Sequence, residues 1–191
     1  MKKVILMAVS VVALVAFKPA EQTKWTVDKA HAKLGFMATH MMVSDVEGWF
    51  KSFDATIVTN SQDFTDAQVE LTADVKSINT DMEMRDNDLR SASYFETDKF
   101  PTLTFKSKTF KKVKDNLYKV TGDLTMHGVT KPVELNAICR MGENPMNKKA
   151  IAGFKISGSV KRSDFGIGAK TPEAIVSDVI TIVANAEFNK N

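Results

Sequence analysis

The strongest constraint in this chain is a period of two. Val69, Leu71, Ala73 and Val75 alternate with Glu70, Thr72 and Asp74, the pattern of a strand with one face against a core and one in water. The same alternation runs through Leu103-Thr104-Phe105, through Tyr118, Val120, Gly122, Leu124 and Met126, and through Val133, Leu135 and Ala137. Further strands are expected at Trp25–Asp28, Leu34–His40, Val46–Val58, Ile151–Val160 and Val179–Phe188, with turns at Asn60–Asp66, His127–Lys131 and Gly142–Lys149. Eight or nine strands in a chain of 191 residues describe one all-β domain, an antiparallel barrel or sandwich.

One segment breaks the rhythm. Thr80-Asp81-Met82-Glu83 fits a capping box, so a short helix of about three turns is expected over residues 81–91. Its mixture of Met82 and Leu89 with Arg85, Asp86, Asp88 and Arg90 suits a helix lying across an opening or an edge. Phe100-Pro101 then returns the chain to extended structure.

The N-terminus has a different character. Lys2 and Lys3 precede the apolar run Val4–Phe17, and Lys18-Pro19-Ala20 ends it. The run is shorter than the ~20 apolar residues a spanning helix needs, so residues 1–20 read as a signal peptide and 21–191 as the mature domain. Neither Ala20 nor Ala16 makes a good cleavage signal, which leaves an uncleaved N-terminal anchor as the alternative. Of the 26 basic residues, Lys2, Lys3 and Lys18 fall in this leader, and the remaining 23 match the 23 acidic ones. A charge-balanced domain lacks the basic surface on which nucleic-acid affinity rests. The cluster Lys106, Lys108, Lys111, Lys112, Lys114 reads as a solvated strand edge, with contact to anionic lipid headgroups as the alternative.

Catalytic and metal signals are weak. His31, His40 and His127, with Asp28, Asp86 and Asp164, supply ligand types, yet no pair has the close spacing of a metal motif. There is no G-x-S-x-G turn, and the single cysteine, Cys139, reads as a buried or edge residue. Gly166-Ile167-Gly168 is too short for a dinucleotide fingerprint and reads as a bulge or bend in a barrel strand. Binding has more support. An eight-stranded barrel is just wide enough to be packed shut or to hold one small ligand. Twelve Phe and ten Met, among them Met37, Met41, Met42, Met82, Met84 and Met126, could form a plain core or an adaptable apolar lining.

Specific strings carry a resemblance. Trp25-Thr-Val-Asp28 with His31, Phe36 and His40, then Val46-Glu-Gly48-Trp-Phe50 and Phe53, is similar to the opening of the YceI-like family of secreted lipid-binding proteins. The similarity continues through Ser77-Ile-Asn-Thr80, Arg85-Asp86, Leu89-Arg90, Tyr94-Phe95 and Phe100-Pro101 with Phe105. It is densest at Gly122-Asp-Leu-Thr-Met-His-Gly-Val-Thr-Lys-Pro-Val133, and closes with Gly153-Phe154 and Arg162-Ser-Asp-Phe-Gly-Ile167.

The resemblance implies a lipocalin-like antiparallel barrel that holds a long-chain amphiphile, such as a polyisoprenoid, an isoprenoid quinone or a fatty-acid-like lipid. It implies export to the periplasm, with sequestration or transport as the role. No required cofactor and no catalytic activity come with it. Candidate lining residues are Phe36, Phe50, Phe95, Phe105, Leu124, Met126, Phe154, Phe165 and Ile182. In the family pattern, Arg162 and Asp164 lie near His40 and Asp86, a polar cluster that would position a headgroup or tie the helix to the wall. The apolar pair Met41-Met42 suggests contact with lipid or a partner, and a homodimer is a further expectation. The alternatives are an enzyme acting on a lipid in the same barrel, and an interaction protein whose barrel is packed shut.

Overall fold

The structure, a computed structural model, describes residues 22–191; the leader and its cleavage lie outside the described residues. The elements are β1 (Thr23–His40), β2 (Ser44–Phe50), β3 (Phe53–Thr59), β4 (Gln68–Asp74), β5 (Ile78–Asn79), α1 (Glu83–Arg90), β6 (Thr102–Lys114), β7 (Leu117–Met126), β8 (Val129–Glu143), β9 (Ala150–Lys161) and β10 (Val179–Lys190). Neighbours run β10-β9-β8-β7-β6-β4-β3-β1, and β1 pairs back to β10, so eight antiparallel strands close on themselves. The second half of β1 pairs with β2, which the two-residue β5 flanks.

Alternation dictates the inside of the barrel. In β7, Tyr118, Val120, Gly122, Leu124 and Met126 are buried while their neighbours are partly exposed. Gly122 is needed for close approach, since a Cβ there would lie 2.5 Å from the Lys106 carbonyl oxygen and 2.6 Å from the Phe105 ring. Between β7 and β8, His127 and Gly128 both take positive φ, at 52° and 73°, the backbone of the tight hairpins that match strand twist.

Several expected boundaries move. Trp25–Asp28 and Leu34–His40 are the two ends of one strand, β1, interrupted by a bulge between Val27 and Ala32 where alternation is lost. There the Asp28 carboxylate accepts from the Ala30 amide and pairs with the His31 ring. Val46–Val58 divides at Lys51-Ser52 into β2 and β3. The helix has eight residues, about two turns rather than three. No side chain caps it, because the Thr80 hydroxyl bonds the Asp86 carboxylate and Glu83 reaches Arg90. Gly166 and Gly168 belong to a turn after the 3-10 segment Arg162–Phe165 and not to a strand bulge; both have positive φ.

The two ends of the barrel differ. At the lower end the loop 60–67 folds Phe64, 1% exposed, onto an aromatic floor. Phe64 lies with its ring centre 5.3 Å from both Trp25, at a tilt, and Phe154, edge-on, and Phe154 meets Phe110 and Phe188 edge-on as well. Asp66 holds this loop by accepting from Thr59, Ser61 and the Asn60 amide. At the upper end lie the β1–β2 hairpin tip, α1, the His127-Gly128 turn and the segment 162–178.

Candidate functional site

Above the aromatic floor the barrel interior holds a cavity of about 220 Å³. Eight of the nine residues expected to line it do so, Phe36, Phe50, Phe95, Phe105, Leu124, Met126, Phe154 and Ile182, and Arg162, expected in the polar cluster, lines it as well. Small side chains leave the room: Ala55 of β3 and Ala184 and Ala186 of β10, the two strands that pair with β1, line the same space as the phenyl rings of β1, β2 and β6. Leu89 of α1 and Tyr94 and Phe95 after it close the upper part, together with Ile167 and Val176.

Three candidate site residues, Phe165 of the expected lining and Asp86 and His40 of the expected polar cluster, do not line the cavity. Phe165 is 1% exposed and packs in the core, where its carbonyl accepts a hydrogen bond of 2.8 Å from His127 Nδ1. Asp86 is also 1% exposed, but its carboxylate turns back to accept from the Thr80 amide at 2.8 Å and the Thr80 hydroxyl at 2.6 Å. His40 is exposed at the end of β1, where its backbone bridges to Val176.

The expected polar cluster is therefore two separate networks. In one, Arg162 uses all five of its donors on backbone carbonyls: Nε to Ser177 at 3.2 Å, Nη1 to Ile167 at 3.2 Å and Gly168 at 2.6 Å, and Nη2 to Thr171 at 2.7 Å and Val176 at 3.1 Å. A buried guanidinium satisfied in this way braces the irregular segment 166–178, which carries Ile167 and Val176 of the cavity wall. Asp164 is exposed and takes no part. In the other network, Arg85 donates to Thr80 while Arg90 donates to the Lys76 and Ile78 carbonyls, which ties α1 to the wall. Sequence reasoning named Arg90 without giving it a role and left Phe64 unmarked; a lone Phe in the polar run Asn60–Asp66 was the available signal for the second.

Cys139 and the paired Asp28 and His31 lie outside the cavity lining. Cys139 is buried within β8, and burial pushes its thiol up to about 11, which disfavours the reactive thiolate. Of the histidines and carboxylates considered for a metal, the structure joins Asp28 and His31, with Glu187 beside them, on the outer bulge of β1. Their hydrogen bond, then the Ala30 amide, holds the Asp28 carboxyl below the usual range and raises His31. The lysine cluster is solvated as expected, with Lys106 paired to Glu70 and Lys108 to Asp123.

A closed antiparallel barrel with an aromatic floor and a carbon-lined cavity is the architecture of a small lipocalin-like barrel. Residues 25–188 match the YceI-like domain, and the chain belongs to that family. A UPF0312 protein of Staphylococcus aureus is 35% identical over 175 residues, 87% of this chain and 98% of the relative. Among solved structures, BcnA of Burkholderia cenocepacia aligns with a TM-score of 0.74 at 25% identity, over 84% of this chain and 98% of that one. A Campylobacter jejuni YceI protein aligns at 0.73 and 31% identity, over 80% and 90%. A polyisoprenoid binding domain from Saccharophagus degradans shares the fold, with a TM-score of 0.64 at 17% identity over 87% and 98%.

Proposed function

We propose that this protein holds the apolar chain of a long amphiphile, a polyisoprenoid, isoprenoid quinone or fatty-acid-like lipid, inside the barrel, and that it sequesters or carries that molecule in the periplasm through transient contact with a membrane. The observation that carries the reading is the cavity inside the barrel, whose walls are almost entirely carbon. Such a space rejects polar solutes, because nothing in it replaces their hydrogen bonds to water, and accepts hydrocarbon. Family membership supports the same ligand class, and the polyisoprenoid binding named for the Saccharophagus degradans domain accords with it on the level of the fold. No covalent step is proposed: the buried polar groups flanking the cavity, Arg162 and Asp86, are both occupied by backbone or hydroxyl partners.

Cavity size sets the test. A methylene takes roughly the volume of a water molecule, about 30 Å³, so about seven fit in the 220 Å³ as the side chains stand. Each buried methylene contributes about 0.8 kcal/mol, or about fourfold in affinity. In a series of n-alkyl amphiphiles of one headgroup, affinity should rise about fourfold per carbon up to about seven. It should then climb more slowly as Leu89, Phe95 and Met126 turn aside for the rest. Affinity independent of chain length would refute the reading.

A further inference from the structure

Most of the large apolar side chains that the described surface exposes gather at the end of the barrel opposite the aromatic floor. Of eleven such residues, seven lie there: Met41, Met42 and Val43 on the β1–β2 tip, Met82 and Met84 at the start of α1, and Ile175 and Val179 in and after the 162–178 segment. The tip and that segment form one ledge, because the Met41 amide donates to the Ile175 carbonyl, the Ser177 amide to Thr39, and His40 bridges to Val176. The β2–β5 register, Phe50 with Ile78 and Trp49 with Asn79, carries the chain after Asn79 toward the same end. The ledge continues into the cavity wall through Ala38 and Val176.

The backbone of the tip makes this arrangement costly. The Val43 amide bonds the His40 carbonyl across a four-residue turn, with Met41 at φ 48° and Met42 at φ 58°. Two left-handed residues in succession favour Asn-Gly strongly, and a long side chain in that conformation is strained. Here the strained positions hold methionines that are 55% and 76% exposed, followed by Val43 at 86%. Packing within the domain does not account for them. Strain of this kind collects at functional sites.

We propose that this ledge is a membrane-docking surface, on which Met41, Met42, Val43 and Ile175 insert into the apolar edge of a lipid bilayer so that the amphiphile passes between bilayer and cavity. The inference rests on the lipid-holding reading of the cavity. A bilayer fits better than a protein partner, since a stable protein interface takes about 20–30 residues a side whereas insertion needs only a few protruding apolar ones. Met is suited to it, being flexible and apolar.

The test compares the full chain with the double variant M41N/M42G, with V43S as an independent second variant and M146N as a control at the opposite, lower end. Each is sedimented with vesicles of phosphatidylcholine containing one-quarter phosphatidylglycerol, at low and at high salt. M41N/M42G should melt at or above the parent's temperature, because it suits the turn, and should bind vesicles at least about tenfold more weakly. V43S should weaken binding in the same direction, M146N should leave it unchanged, and parental binding should survive high salt. Lipid taken up from detergent solution should be equal in all four. Undiminished vesicle binding in M41N/M42G overturns the proposal, as does a loss matched by M146N. A marked fall in melting temperature overturns it by showing that the methionines serve packing. Loss of a concentration-dependent dimer in place of vesicle binding makes the occupant a second copy, and likewise overturns it. If the parent binds vesicles through the ledge yet takes up no lipid, the cavity reading fails and the docking surface stands.

Discussion

Replacing Arg162 with Met keeps the apolar stem beside the cavity and removes the guanidinium. The side chain is 7% exposed and makes five hydrogen bonds to carbonyls of the 166–178 segment. Bonds from a charged group are worth about 1.5–3 kcal/mol each, so a simple sum exceeds about 7 kcal/mol. Two effects reduce it: the desolvation of a buried cation, several kcal/mol, is relieved, and water can reach carbonyls freed near the surface. The net loss expected is about 3–4 kcal/mol, within the range for breaking a buried charged network and a large share of a typical domain's about 5–15 kcal/mol. Urea unfolding followed by Trp fluorescence and far-ultraviolet circular dichroism gives the midpoint and slope. Lys at this position, with three donors and no planar fork, should recover less than half of the loss. Lipid content per folded molecule should not change, since Arg162 acts as a brace. A loss under about 1 kcal/mol would refute the reasoning, because five buried carbonyls cannot lose a charged donor without consequence.

Three other perturbations follow from the same structure. The Asp66 carboxyl is held well below the usual range by the Thr59 and Ser61 hydroxyls and the Asn60 amide; its folded value lies below the unfolded one, so the stability it provides is present above about pH 4 and is lost as pH falls through the depressed value. Thermal melts between pH 7 and pH 2 should show a decline below pH 4 that is smaller in Asp66→Asn, and identical profiles would contradict it. The Cys139 thiol should react with a disulfide reagent only as fast as the domain opens, because it is buried and burial raises it to about 11; rapid labelling without denaturant would place it at the surface. Ala184→Phe puts a ring into a space for about seven methylenes and should lower lipid uptake at least about tenfold, with stability held within about 1–3 kcal/mol.

The strands were legible because alternation is a direct physical signature, and in β7 every residue from Tyr118 to Met126 falls on the face it suggests. The cavity lining was legible for the same reason, since Phe36, Phe50, Phe105 and Leu124 occupy inward positions of regular strands. What the sequence hid lies where periodicity stops. The Asp28–His31 bulge interrupts β1 with no residue that looks like a break. Thr80 and Glu83 have capping spacing, yet Asp86 takes the Thr80 hydroxyl, because a buried carboxylate needs partners more than an exposed helix start does. Arg162 and Asp86 were expected in one polar cluster, whereas the irregular segment after Phe165 supplies enough carbonyls to satisfy the guanidinium unaided. Spacing along a chain does not encode such returns of backbone.

On the proposed function, the carbon-lined space inside the barrel holds the chain of an amphiphile. Protein purified without detergent should yield to organic solvent a long-chain lipid in near one-to-one ratio by quantitative mass spectrometry, and Ala184→Phe prepared alongside should yield at least about tenfold less. Equal lipid from both proteins, or none from the parent together with no saturable uptake of added lipid, would contradict it.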